Sequence, residues 1–313
     1  MKIFVTGGLG YKGHVLIPKL LAKGHEVVVF DLGWFGNYLT PSERLKIIIG
    51  DVRDLHESLL DSIDVIIHLS SIANDPCGDL NPKLTWEVSA LATMQLADLA
   101  RRKNIKRFIY ASSGSVYGVK SEDDVTEELT LNPLSEYNKT KMVSERVLLS
   151  YMSDMAVQIV RPATVCGISP RMRLDVSVNM LTTQALVNGK ITVFGGDQTR
   201  PNIHIDDVTD LYLFLLDNPQ FTGIYNAGFE NLTIFEIADK IRKKIPCEIH
   251  VSKSNDIRSY RINSDKILKT GFTPKKNVDN AIEEIISAYS CGSLTINPQC
   301  YNLDWMEKNG LAI

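Results

Sequence analysis

"VTGGLGYKGHVLIPKLL", residues 5–21, decides the fold. A β-branched run, "KIFVTGG" at 2–8, passes into a turn carrying Gly7, Gly10 and Gly13, and an apolar helical pattern at 14–23 follows directly. Glycines between a strand and a helix let the backbone approach a pyrophosphate, to which the helix start offers free N–H groups and its positive dipole end. Tyr11 and Lys12 lie inside this turn and count with it as candidate dinucleotide-binding positions. The next apolar run, "EVVVFD" at 26–31, closes on Asp31. A carboxylate there accepts hydrogen bonds from the adenosine ribose and meets a 2′-phosphate as like charge, so NAD is expected in preference to NADP. Asp51 and Val52, after the third run, are placed to meet the adenine.

Working outward, short apolar runs recur at 46–50, 64–70, 107–113 and 157–162, with helical patterns at 83–103 and 135–153 between them. Runs without polar alternation suit strands buried on both faces, and the β-α-β order predicts an α/β protein with a doubly wound parallel sheet of Rossmann type. After about residue 166 the rhythm breaks into Pro-, Gly- and Arg-rich segments, with a helix at 176–188 and strands at 191–196 and 223–228. The expected division is an NAD-binding domain over 1–165, with a returning segment near 203–228, and a smaller α/β substrate-binding cap over 166–202 and 229–313.

Composition narrows the class. The chain has 313 residues, 44% of them hydrophobic, enough for a large core, and its net charge of −3 offers no field to gather nucleic acid or acidic lipid. It opens without a long apolar segment and has no charge-free stretch of spanning length, so a cytoplasmic protein with no membrane partner is expected. Five scattered cysteines form no C-x-x-C pair and six dispersed histidines form no ligand spacing, so neither a disulfide framework nor a metal site is signalled.

Chemistry enters at "LSEYNKTKMVSERVLL", where Tyr137 and Lys141 share a helix face at i, i+4 spacing. A phenol with a pKa of about 10 is a poor base, but a neighbouring ammonium and bound NAD⁺ favour the phenolate and make Tyr137 a candidate general base. Ser113, in "ASSGSVYG" at 111–118, lies 24 positions earlier (137 − 113), where a hydroxyl can hold the reacting oxygen beside the phenol.

The G-x-x-G-x-x-G spacing together with Ser113, Tyr137 and Lys141 resembles the extended short-chain dehydrogenase/reductases, the NAD-dependent nucleotide-sugar epimerases and dehydratases, over about the first 270 residues. The resemblance implies a nucleotide-diphosphate sugar as substrate and assigns Ser115, Thr164, Arg171, Asn179, Arg200 and Arg258 to it. Arg200 in "RPNIHIDDV" and Arg258 in "NDIRSYRINSDK" are the expected diphosphate ligands, since the guanidinium fork meets phosphate oxygens bidentately. For Arg171, Arg173 and Asn179, substrate contact and plain surface structure are both open. "SPRMRLDVSVNMLTTQA" is closer to a branch that includes GDP-heptose 4-dehydrogenases than to common UDP-galactose 4-epimerases. Three positions depart from the family pattern: Thr164 and Ser89 stand where relatives usually carry asparagine, and Lys12 where they carry an apolar residue. The Lys12 ammonium either adds charge at the pyrophosphate or snorkels off the helix start.

The expected activity is oxidation at C4 of the sugar, as a 4-epimerase or a 4-dehydrogenase. A dehydratase or decarboxylase of the same family, or a noncatalytic NAD-responsive binding protein, is the alternative. Dehydratases of the family carry an acid immediately after the active-site Ser/Thr, where this chain has Gly114 and Ser115. Relatives pair the helices matching 83–103 and 135–153 across a twofold axis, which implies a homodimer.

Overall fold

The computed structural model describes residues 1–253 and 259–310. Six strands come first: β1 (Lys2–Thr6), β2 (Glu26–Asp31), β3 (Leu45–Ile49), β4 (Val65–His68), β5 (Arg107–Ala111) and β6 (Ala156–Pro162). β7 (Thr164–Cys166), β8 (Lys190–Phe194) and β9 (Thr199–His204) follow, then β10 (Gly223–Ala227), β11 (Glu230–Thr233) and β12 (Glu248–Ser252). The helices of the first half are α1 (Gly13–Ala22), α2 (Asp75–Leu80), α3 (Pro82–Trp86), α4 (Ala92–Arg102) and α5 (Glu136–Leu149). Those of the second are α6 (Ser177–Asn188), α7 (Ile205–Asp217), α8 (Ile234–Lys244), α9 (Asp265–Leu268), α10 (Val278–Ser290) and α11 (Asn302–Lys308).

Seven strands pair in parallel in the order β10-β6-β5-β4-β1-β2-β3. Successive side chains alternate between two apolar layers. Ile3, Val5, Val27 and Val29 meet Leu16, Ile17 and Leu20 of α1 and Val208, Leu211 and Leu215 of α7. Phe4, Ile66, Phe108 and Tyr110 meet Leu96 and Ala100 of α4 and Leu148 of α5. Helices on both faces are the doubly wound arrangement that buried, non-alternating runs demand. Strand order reverses between β1 and β4, and a crevice opens there at the carboxyl ends of the strands, where ligands of such sheets sit.

The second half builds two small sheets, β11-β9-β7 and β12-β8, over its own core, in which Ile191 and Val193 pack on Val178, Leu181, Ile237, Ile241 and Ile282. Three features differ from the sequence reading. The segment returning at 203–228 is a helix as well as a strand: α7 covers the sheet beside α1, and Lys19 bolts it there through Asp206 (2.9 Å) and Asp210 (2.8 Å). The helix expected over 83–103 is broken by a π-helical turn at Glu87–Leu91, where the Ser89 carbonyl accepts from Thr93 and Ser144. The late helix α11 folds back onto the first half, placing Met306 in its core and the Trp305 indole 2.9 Å from the carbonyl of Trp34. Among the described residues, no helix is long and apolar enough to cross a membrane.

Candidate active site

A cleft of about 510 Å³ runs along the carboxyl ends of the strands, between the sheet and the second half. It is lined at one end by Gly7, Gly10, Tyr11, Lys12, Gly13, Asp31, Asp51 and Val52, and further along by Ser113, Ser115, Tyr137, Lys141, Thr164, Arg171 and Arg200. The residues nominated from sequence therefore converge on one cavity, with two exceptions. Asn179 does not line it: the side chain is fully buried, accepting from Gly167 N (3.0 Å) and donating to Tyr11 Oη (3.0 Å) and Arg173 O (2.9 Å). Its hydrogen bonds are spent on loop 167–173, so it shapes that loop and leaves nothing for a ligand. Arg258 lies outside the described residues.

The turn at the start of α1 is as tight as a pyrophosphate cradle requires. A Cβ on Gly13 would lie 2.2 Å from Gly8 O, so only glycine lets α1 begin this close to β1. The Asp31 carboxylate accepts from Leu9 N (2.9 Å) and Gly33 N (2.8 Å), which fixes it at the cleft wall. Burial pushes its pKa up, and these two N–H groups and Arg171 act against the rise. Asp51 is held well below the usual carboxylate range by the Arg53 guanidinium, which meets it at 2.7 Å. The Tyr11 hydroxyl donates to Gly167 O at 2.6 Å, so that phenol staples the turn to the second half rather than offering itself to a cofactor. These residues fit a dinucleotide with an unphosphorylated ribose.

At the other end, Ser113 lies two residues beyond β5 and caps a 3-10 turn at Gly114–Tyr117. Its Oγ is 2.7 Å from Ser115 Oγ, Ser115 donates to Asn138 Oδ1, and the Asn138 amide donates to Asp75 Oδ1 at 2.7 Å. A carboxylate can only accept from an amide, so this chain has a direction and orients both serines. Beneath it, Arg161 and Glu145 form a buried ion pair at 2.6 Å that also takes Ser112 and Tyr117. Lys141 donates to Ala111 O at 2.7 Å and lies 5.9 Å from the centre of the Tyr137 ring. Burial, and then the charge of Lys12, pull Lys141 well below the ordinary lysine range. Burial likewise pushes the Tyr137 phenol up to about 12, with the Ser113 hydrogen bond and Arg173 opposing and Asp75 reinforcing the rise. The protein's own groups thus hold the phenol up, and the phenolate expected from the sequence rests on what bound NAD⁺ would add.

One wall residue, Asp75, escaped the sequence reading, and the structure gives surroundings to Arg173 and Arg171, which that reading left open. Asp75 opens α2 after Asn74, and the "NDP" triplet following β4 was an available helix-start signal. Arg173 is paired with Asp175 at 2.9 Å on the cleft wall and is not plain surface. Arg171 was assigned to substrate, yet its guanidinium stacks 3.9 Å from the centre of the Phe35 ring, in the loop following Asp31. Its Nη2 donates to Asn302, while Nε and Nη1 are buried with no partner among the described residues. His204, Asp206 and Glu284 also converge, but Lys276 Nζ lies 2.6 Å from each carboxylate and supplies the positive charge there.

A glycine cradle, a ribose-height carboxylate and a Ser-Tyr-Lys group in one cleft describe a site for pyridine-nucleotide chemistry, and residues 3–228 match the model of the NAD dependent epimerase/dehydratase family. The chain belongs to this family. It is an NAD-dependent enzyme of the nucleotide-sugar epimerase/dehydratase class. It is 27% identical to the UDP-glucose 4-epimerase of Lactobacillus helveticus, across 90% of this chain and 95% of that one. It is 29% identical to UDP-glucuronic acid decarboxylase 1 of Arabidopsis thaliana, across 78% of this chain and 58% of that one. Among solved structures, the UDP-glucuronic acid 4-epimerase of Bacillus cereus, in complex with UDP-glucuronic acid and NAD, superposes with a TM-score of 0.80 at 27% identity, covering 92% of this chain and all of that one.

Proposed function

We propose that this enzyme oxidises C4 of a nucleotide-diphosphate sugar, as a 4-epimerase or a 4-dehydrogenase. Support comes from the 4-epimerases among its relatives, which act on or bind UDP-sugars, and above all from the Ser113-Gly114-Ser115 step. Removing water across C5 and C6 of a 4-ketosugar needs an acid for the departing hydroxyl, and a carboxyl with a pKa near 4, tuned upward, serves where a serine hydroxyl does not. Position 114 is a glycine and brings no such group, and a Cβ there would first have to displace Ile262 Cδ1, 2.4 Å away. At position 115 the hydroxyl is already committed to Ser113 and Asn138.

In the forward step the C4 hydroxyl would give its proton to Tyr137 as the C4 hydride leaves, and Ser113, turning its own proton from Ser115 to the substrate, would hold the oxygen as it becomes a ketone. Bound NAD supplies the hydride acceptor and, when oxidised, a positive ring that favours the Tyr137 phenolate. Return of the hydride to the opposite face, with the Tyr137 proton restored to oxygen, gives the C4 epimer without net redox change. Release of the ketone leaves NADH and requires an outside oxidant for the next cycle. Arg200 and Thr164 are the proposed substrate contacts on the cleft wall. Incubation with UDP-sugars in D₂O tests the reading by mass spectrometry. A C4 epimer or 4-ketone with no deuterium at C6 is expected; loss of water with deuterium at C6, or loss of carbon dioxide from a uronate, would assign a dehydratase or a decarboxylase instead.

A further inference from the structure

Lys12 is the residue of the glycine turn that the family pattern leaves unexplained. A lysine at a helix start ordinarily runs its ammonium out to solvent. Here the half-buried side chain turns inward, with Nζ 3.4 Å from Tyr212 Oη and 5.8 Å from the centre of that ring, and Tyr212 is fully buried on α7. Lys12 lines the same cleft as Ser113, Tyr137 and Lys141. The groups facing it are the Tyr212 phenol from α7, Arg173, paired with Asp175, from the loop before α6, and Lys141 with Tyr137 from α5. Among the described residues, no carboxylate lies within ion-pair distance of its Nζ. Burial, and then the charge of Arg173, bring Lys12 down to about 8, and Lys12 in turn lowers Lys141, so its charge is felt at the catalytic end of the cleft.

Lys12 lines one cleft with Tyr137 and Ser113, and hydride transfer from a carbon whose oxygen sits on that pair would bring a bound nicotinamide to the end where the charge of Lys12 is felt. An ammonium there repels the positive ring of NAD⁺ and has no such quarrel with the neutral ring of NADH. We propose that Lys12 biases the bound cofactor toward its reduced form, making NAD a stronger hydride acceptor than it would be beside the apolar residue usual at this position. This rests on NAD dependence and not on the identity of the sugar, so the C4 reading and this one fail separately.

The test is the ratio of NAD⁺ to NADH dissociation constants, from NADH fluorescence titration and its displacement by NAD⁺. Lys12 is charged below about pH 8, so the preference for NADH is present there and declines as pH rises through that value. Like charges brought together in a protein environment interact strongly enough that Lys12→Met is expected to reduce the ratio about tenfold near pH 6.5 and to flatten its pH dependence. Any titration of Lys141 or Tyr137 persists in that variant and is thereby separated. An equal loss of affinity for both cofactor forms would place the ammonium on the pyrophosphate and overturn the proposal. An unchanged ratio would do the same. Should Lys12→Met fail to fold, Lys12→Gln, which also removes the charge, is read in the same way: a lowered ratio with a flattened pH dependence supports the bias, and an unchanged ratio overturns it.

Discussion

In the proposed mechanism Tyr137 carries the proton while the glycine turn and Asp31 hold most of the cofactor, so its removal separates chemistry from binding. Tyr137→Phe is expected to lower kcat by about 10²- to 10⁴-fold while NAD affinity, set by the glycine turn and Asp31, stays within a few-fold. Steady-state kinetics beside a cofactor titration checks this, and a variant retaining a tenth of wild-type kcat would remove Tyr137 from its role. Arg171 makes the opposite prediction. Its Nε and Nη1 are buried without a partner among the described residues while the guanidinium stacks on Phe35 and its charge reaches Asp31, and buried donors are costly unless an acceptor meets them. Arg171→Met should therefore weaken NAD binding by about tenfold or more, as expected for a charged hydrogen bond, with a smaller effect on the KM for sugar at saturating NAD. Equal NAD affinity in the two proteins would return Arg171 to the substrate. The glycines, Asp31, Ser113, Tyr137 and Lys141 were legible in the sequence because each sits at a spacing set by local backbone geometry. Asn179 was not, since only tertiary packing turns its amide into the loop at 167–173 and away from the cleft.

Elements show the same division. Strands β1, β2, β4 and β5 were readable because a segment buried on both faces must be almost wholly apolar, whereas the edge strand β3 was readable from its isoleucine run alone, Ile49 being exposed. α7 escaped because "IDDVTDLYLFLLD" pairs an apolar face on the sheet with acids that Lys19 neutralises from a distant part of the chain. The π-helical turn was equally invisible, being fixed by what the Ser89 carbonyl meets on α5. One element contact titrates. Thr93 on α4 gives its hydroxyl proton to Ser89 O, so it accepts from His68 Nε2, leaving His68 Nδ1 to accept from Thr6. A second proton has no place on this fully buried ring, and burial, then Lys141, bring its pKa down to about 3. The unfolded histidine titrates near 6.5, so below that value the unfolded chain binds a proton that the folded one refuses. His68 thus contributes stability that is whole above pH 6.5 and is lost, at up to about 1.4 kcal/mol per pH unit, as pH falls toward 3. Urea denaturation between these limits should show the slope, and His68→Gln should flatten it; an unchanged slope in the variant would assign the acid sensitivity to other groups.

Across the whole molecule, α4 and α5 cover one face of the sheet and keep exposed outer faces of their own. Their inner faces are spent on the core through Leu96, Ala100 and Leu148, while Trp86, Leu91 and Met94 stay more than a third exposed along the α3 to α4 run. The Trp86 indole donates to Glu136 at 2.7 Å, so this apolar strip is held against the start of α5 as one surface. A twofold axis through such a surface places each residue opposite its own copy or a near neighbour, the commonest way in which soluble chains pair. The enzyme is accordingly expected to sediment as a homodimer at micromolar concentration. Met94→Glu brings two carboxylates to an otherwise apolar contact, where unpaired charges are expensive to bury, and should shift the sedimenting mass to the monomer. Because Met94 lies outside the cleft, NAD affinity in the monomeric variant should remain within a few-fold of wild type, which distinguishes a lost interface from a lost fold. A wild-type chain that sediments as a monomer would mean that Trp86, Leu91 and Met94 are merely scattered surface residues, and that the twofold pairing of its relatives does not extend to this enzyme.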